Sequence, residues 1–348
     1  MNNHHINRTI VDALVLPRIV QIEDRLYAAC FQLMKLLPAR QILERAQQEG
    51  LIRRGSVIIE TTSGTFGIAL AMICALKDYR LILVSDPAID PSLKRRLEDL
   101  GTRVEIVKEP AAVGGYQRSR LDRMAEVQRE FPDHFCPSQY ANPLNPSAYA
   151  LLAEFLAGAI GQIDYLVGTV GSGGSMCGTS SNLRQFNPDL KAVGVDTHRS
   201  VLFGQPDGKR LLRGLGNSLL PENVNHTVFD EVHWVTAAEA FLATRVLHRT
   251  TSLFMGGTSG AAYLVGRWQA RRHRDANVVF ILPDEGYRYQ DTIYNDEWLK
   301  ENNVWLSELP DEPLLVSHPW EVTQGWSRMF WGRCSYDEQM NSAAVAEA

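Results

Sequence analysis

Gly171-Ser172-Gly173-Gly174-Ser175 follows a short apolar run, residues 163–167, and precedes a polar stretch from Thr179 that reads as the start of a helix. Strand, glycine turn and helix, in that order, present backbone N–H groups and a helix N-terminus to an anion, usually a phosphate. Glycine removes the Cβ that would hold a phosphate off and permits positive φ. Ser172 and Ser175 add hydroxyl donors. The bland alternative is a turn that merely joins a strand to a helix. Two more polar glycine turns, residues 61–67 and 256–260, each precede an apolar helical stretch. In an open α/β sheet such turns gather at the carboxyl ends of the strands, where ligands bind. Three of them together favour one composed site.

The elements that must position these turns alternate along the chain. Residues 56–60, 81–85, 104–107, 192–196, 229–235 and 278–284 have the compact, β-branched character of buried strands. Helices are predicted over 39–49 (with Pro38 in the first turn and Gly50 at the stop), 68–76, 92–100, 147–159, 237–247 and 261–272. Thr236 and Glu239 make a capping box for the helix at 237. Residues 24–33 are consistent with a strand despite high helix propensity. The dense, alternating charge of 119–130 reads as a solvated helix face. The alternation predicts βαβ units and parallel sheets.

Composition bounds the function. The 348 residues are 45% hydrophobic and 22% charged, as in a soluble globular protein of one large or two moderate domains. A net charge of -5 and a pI near 6.0 argue against a nucleic-acid partner. No stretch is long and apolar enough to span a membrane, and the N-terminus lacks a secretory pattern. The five cysteines are scattered without metal-ligand spacing. A reduced, cytoplasmic enzyme without a metal is expected. From Glu308 the pattern dissolves into a poorly ordered end, although Trp320, Trp326, Phe330 and Trp331 suggest docking on the domain or a second subunit.

Six segments then carry a resemblance. Glu60-Thr61-Thr62-Ser63-Gly64-Thr65-Phe66-Gly67-Ile68-Ala69-Leu70-Ala71 is similar to a loop reading S-S-G-N-T-G-I-A-L-A. Gln139-Tyr140-Ala141-Asn142-Pro143-Leu144-Asn145-Pro146 is similar to Q-[FY]-x-N-P-x-N-P. The stretch from Gly171 to Gly178 is similar to G-[ST]-G-G-T-x-x-G, and Gly214-Leu215-Gly216 to G-[IL]-G. Gly257-Thr258-Ser259-Gly260-Ala261-Ala262 is similar to G-x-S-S-G-A-A, and Pro283-Asp284-Glu285-Gly286-Tyr287-Arg288-Tyr289 to P-D-x-G-x-R-Y. Over roughly residues 18–298 the chain resembles the pyridoxal phosphate (PLP) enzymes of the cysteine synthase and cystathionine β-synthase family, fold type II.

The resemblance implies an α/β fold of two domains, each a mostly parallel twisted sheet flanked by helices. Residues 46–150 would form a smaller, mobile domain that binds the substrate carboxylate. Residues 1–45 and 151–305 would form a larger PLP-binding domain, and 306–348 a C-terminal extension. Counting back from the segment similar to A-x-x-x-G-L-I (residues 46–52) places the family's Schiff-base lysine at Lys35, whose apolar neighbours suit an amine of lowered pKa. Lys35 is thus the expected catalytic residue. Thr65, Gly171, Ser172, Gly173, Gly174, Ser175 and Thr258 join it around the cofactor, Thr258 at the pyridine nitrogen with Ser259 adjacent. Thr62, Ser63, Gly64, Thr65, Gln139 and Gly214 would bind substrate. The chain departs from the family in having Leu36-Leu37 for Asp-Arg after the lysine, Thr65-Phe66 for Asn-Thr, and Tyr149 for histidine. The activity implied is β-replacement on O-acetylserine or O-phosphoserine through an aminoacrylate, by a homodimer acting on small amino-acid substrates. The product would be cysteine or another β-substituted alanine. A β-elimination lyase and a catalytically silent binding protein are the alternatives.

Overall fold

The computed structural model describes residues 6–346 apart from 63, 213, 322 and 323, with side chains described to 342. Helix α1 (Ile10–Leu14) starts at a Thr9–Asp12 capping box. β1 (Arg18–Glu23) and β2 (Leu26–Cys30) pair antiparallel. The ambiguous stretch after Asp24 becomes a strand because β2 also pairs, in parallel, with a strand near the other end of the chain. Such tertiary pairing overrides local helix propensity. Helix α2 (Leu36–Gln48) begins directly after Lys35.

Next comes a three-stranded parallel sheet: β3 (Val57–Thr61), β4 (Arg80–Ser85) and β5 (Arg103–Ile106). Its helices are α3 (Thr65–Lys77), α4 (Pro91–Asp99) and α5 (Gly115–Glu130). α3 is apolar all round and accordingly buried from Phe66 to Cys74. Leu36, Ile42 and Leu43 of α2 share a core with Phe66, Ile68 and Leu70 of α3. We therefore propose that the smaller domain begins at α2, ahead of the expected boundary at 46.

The rest of the chain builds a larger sheet. After α6 (Leu144–Ser147) and α7 (Ala150–Ile160) come β6 (Tyr165–Thr169), α8 (Gly174–Phe186), β7 (Lys191–Asp196) and β8 (Glu231–Trp234). Then follow α9 (Ala237–Thr251), α10 (Gly257–Arg272), β9 (Val278–Leu282), α11 (Asp296–Glu301), β10 (Leu314–Leu315), β11 (Ser327–Phe330) and α12 (Tyr336–Ala346). The order is β1-β2-β9-β6-β7-β8-β11-β10, with the central strands β2 to β8 parallel. No helix among the described residues is long and apolar enough to cross a membrane.

The C-terminal segment corrects the reading of a poorly ordered end. β11 pairs antiparallel with β8, and Trp326, Met329 and Trp331 are 0–3% exposed. Aromatic side chains bury about 150–250 Å² each, enough to hold a proline-interrupted segment that lacks hydrophobic periodicity.

Candidate active site

The ends of β2, β3, β4, β6 and β9 open on one cleft of about 390 Å³ between the two sheets. Lys35 enters it from β2. Phe31 N–H donates to Leu282 O and Met34 N–H to Pro283 O, both at 2.9 Å, so the chain beyond β2 stays in step with the end of β9. Leu36 and Leu37 are buried. The pair that replaces Asp-Arg thus anchors α2 in the core, and Lys35 lines the cleft. Burial lowers the Lys35 amine to about 8, and Nζ donates to Ser172 Oγ at 3.2 Å.

Ser172 belongs to the turn after β6. The helix there begins at Gly174 rather than Thr179, so the glycine turn is itself the N-terminus of α8. Gly173 has φ +84°, and a Cβ on it would lie 2.5 Å from Asn223 O. A Cβ on Gly174 would lie 2.1 Å from Asn145 Oδ1, and one on Gly178 2.0 Å from Pro146 O. These glycines seat α8 against the Asn142–Pro146 motif. Asn145 is fully buried and donates Nδ2 to Ser172 Oγ at 3.2 Å and to Gln139 O at 2.6 Å. Gly171, Ser172 and Ser175 line the cleft, while Gly173 and Gly174 stand behind them.

Two more helices open on the same space. α3 has Gly64 at its N-cap and α10 has Gly256; like α8, neither has a side-chain cap. Uncapped helix N-termini leave backbone N–H groups and positive partial charge for an anion. Thr62, Gly64, Thr65, Gln139, Gly214 and Thr258 all line the cleft; Ser63 lies outside the described residues. Thr62 Oγ1 accepts from Gly64 N–H at 3.1 Å. Ser259 is fully buried and lies outside the lining, so Thr258 is the hydroxyl that α10 presents to the cleft. Gly214, at φ +80°, runs against the Thr258 methyl.

Sequence reasoning missed several residues. Glu60, 1% exposed, accepts from Thr61 N–H at 2.8 Å and Gln139 N–H at 3.2 Å, clamping the loop after β3 to the segment at Gln139. Burial pushes its carboxyl up to about 7 against the opposing pull of those N–H groups and Arg120. Arg120 corrects the solvated-face reading of residues 119–130. It is 8% exposed, lines the cleft, lies 3.3 Å from Asp86 Oδ2, and keeps a buried Nε without a hydrogen-bond partner. Lys209, Arg210 and Arg288 also line the cleft; with Arg120 they are termed its outer wall, and Lys35 with the glycine turns its inner end. Arg288 Nη1 lies 3.9 Å from Asp284 Oδ2, and its Nε and Nη1 are buried without hydrogen bonds. Only Arg288 and Asp284 had a signal, in the P-D-x-G-x-R-Y match.

The inner end therefore offers uncapped helix donors, two serine hydroxyls and an amine near neutrality. That donor set fits a phosphate ester bearing an aldehyde. No group of three or more His, Cys, Asp or Glu among the described residues is placed to hold a metal. Comparison with known proteins agrees with the fit to pyridoxal phosphate. Residues 34–284 match the family model described as pyridoxal-phosphate dependent enzyme. The chain is 40% identical over 268 residues (75% of this chain and 79% of the relative) to N-(2-amino-2-carboxyethyl)-L-glutamate synthase of Cupriavidus metallidurans. Among solved structures, it is similar to an O-acetylserine-dependent cystathionine β-synthase from Helicobacter pylori. There the TM-score is 0.76 and the identity 25%, covering 84% of this chain and 100% of that one. A cysteine synthase from Entamoeba histolytica shares the fold, with TM-score 0.76, 21% identity, and coverage of 87% and 97%. The chain belongs to the pyridoxal-phosphate-dependent enzymes, with the cysteine synthase type of fold and pyridoxal phosphate as its cofactor.

Proposed function

We propose that this enzyme performs β-replacement on an activated L-serine, O-phosphoserine or O-acetylserine, with the amine of an acidic amino acid as the incoming nucleophile. The product is then an N-(2-amino-2-carboxyethyl) amino acid. The observation that carries the reading is the make-up of one cleft lining, in which the glycine turn and Lys35, bonded to Ser172, share the space with four cations, Arg120, Lys209, Arg210 and Arg288. The name of the 40% identical relative supports L-glutamate as the acceptor.

Bound pyridoxal phosphate supplies an electron sink that acidifies the α-proton of an amino acid and lets its β-substituent leave. In this reading Lys35 would carry the cofactor, and Gly171, Ser172, Gly173, Gly174 and Ser175 would hold its phosphate at the N-terminus of α8. Thr258 and Thr65, both in the lining, would face its ring. Once the substrate's own amine has displaced it from the cofactor, the freed Lys35 Nζ, its pKa lowered to about 8 by burial, would take the α-proton as general base. Thr62, Gly64 and the first turn of α3 bind the α-carboxylate, with Gln139 and Gly214 closing the walls beside it. Arg120 and the outer cations bind the acceptor's carboxylates by charge-assisted hydrogen bonds. On the family resemblance we also propose a cytoplasmic location and a homodimer; sedimentation of the cofactor-loaded protein reads the second directly.

The test is product analysis by mass spectrometry. Cofactor-loaded protein given O-phospho-L-serine or O-acetyl-L-serine with L-glutamate should yield N-(2-amino-2-carboxyethyl)-L-glutamate. Pyruvate and ammonia alone, with no adduct, would favour the elimination reading instead.

A further inference from the structure

Residues 197–225 form the most irregular part of the cleft wall. Among their described residues the one helical piece is the single turn Val201–Phe203. A long loop without regular hydrogen bonding takes its shape from what it rests on. One face presents Arg210, Gly214 and Asn217 to the cleft. The other rests on the C-terminal segment.

The contact runs through His198. Its Nε2 lies 3.0 Å from Gly325 O, and its Nδ1 lies 3.5 Å from Gln205 Nε2. A carbonyl can only accept and the Gln205 amide nitrogen can only donate, so both bonds require the neutral ring with its proton on Nε2. Gln205 Oε1 accepts from Arg199 N–H at 2.9 Å. Arg199 O accepts from Gly208 N–H at 3.1 Å and from Arg210 Nη1. Arg210 Nη2 donates to Ser218 Oγ at 2.5 Å. A continuous set of hydrogen bonds thus joins Gly325, outside the cleft, to Arg210 on its wall.

Gly325 is itself held. The next residue, Trp326, donates its backbone N–H to Glu239 Oε1 at 2.7 Å and its indole Nε1–H to His233 Nδ1 at 3.0 Å. The other oxygen of Glu239 closes the capping box of α9. Further along, Trp331 packs edge-on against Phe203 at 5.1 Å. Gly204, at φ +85°, has room only for hydrogen, since a Cβ would lie 2.5 Å from Met340 Sδ.

We propose that the C-terminal segment, residues 306–346, is a positioning element for the acceptor side of the cleft. Gly325, through His198 and Gln205, fixes residues 199–218 and with them the placement of Arg210. His198 is a positioning residue: it lies outside the cleft lining and acts through Arg199. The inference rests on the reading that the outer wall receives an acidic acceptor.

The experiment compares cofactor-loaded native protein with His198→Ala, His198→Gln and Gln205→Ala. His198→Ala should raise KM for L-glutamate about fivefold, the loss expected for one net hydrogen bond. KM for the activated serine and the cofactor's visible absorbance should be unchanged. Gln, whose amide can reach Gly325 O, should restore the native value. Gln205→Ala, farther from the core, should show the same effect to a smaller extent. Hydrogen exchange over residues 199–212 should quicken in His198→Ala and return in His198→Gln. An unchanged KM for L-glutamate in His198→Ala overturns the proposal, as does a parallel loss of donor, acceptor and cofactor binding. If His198→Ala does not fold, Gln205→Ala decides by the same criteria. Should the native protein make no adduct with L-glutamate, the acceptor reading fails. Exchange at 199–212 then decides the positioning claim, and an unchanged exchange rate overturns it.

Discussion

Gly64, Gly173 and Gly256 each stand at the N-cap of a helix that opens on the cleft without a side-chain cap. Arg120, Arg210 and Arg288 reach the same cleft from a helix far along the small sheet, from a long loop, and from the turn after β9. The inner end is therefore made of backbone held at a fixed distance by glycines, and the outer wall of long side chains held by remote partners. Backbone donors at helix ends suit a group that never changes, the cofactor phosphate. Side chains on loops suit substrates that differ between relatives. Disturbing the inner end should cost the cofactor, whereas disturbing the outer wall should cost only the choice of acceptor.

The largest effect is expected at the glycines. Gly174→Ala places a methyl where Asn145 Oδ1 leaves no space, and Asn145 is held by Gln139 and Ser172. Overpacking of this kind costs about 1–3 kcal/mol, which should weaken cofactor binding roughly 10- to 100-fold in equilibrium dialysis. A variant that keeps native affinity would mean that the turn does not carry the phosphate. A smaller, differently shaped effect is expected at Arg120. Arg120→Lys keeps a cation beside Asp86 but loses the planar fork. KM for L-glutamate should rise about tenfold, with cofactor affinity and Tm unmoved; a rise in cofactor Kd would blur the two halves of the cleft. The mildest probe is pH. The Lys35 amine, lowered to about 8 by burial, is protonated below that value and cannot attack an aldehyde. The rate at which cofactor-free protein takes up pyridoxal phosphate should therefore fall about tenfold per pH unit below 8 and level off above it. A profile still climbing at pH 10 would indicate an ordinary, solvated lysine.

The same contrast explains what the sequence disclosed. The three glycine turns were legible because glycine at a strand–helix junction has a local, steric meaning, and most strands followed from compact β-branched runs. Arg120 was hidden because it sits in a charge-dense stretch, and nothing within 119–130 shows that α5 turns this one residue into the cleft, next to Asp86. Lys209 and Arg210 lie in a loop with no pattern of its own. The C-terminal segment was half legible: its tryptophans pointed to docking, and Trp326 and Trp331 are indeed buried, but the order of the chain around them did not show. Its strands are two and four residues long, and the longer is defined by pairing with β8 and by the burial of Trp326 and Trp331. Long-range partners leave no local trace.

The most direct measurement of the central claim is borohydride reduction of the cofactor-loaded protein, followed by digestion and mass mapping of the pyridoxyl group. The account predicts the label on Lys35, and a Lys35→Ala protein that takes up no label and loses the yellow absorbance. A label on any other lysine would contradict the inner end of the cleft as described.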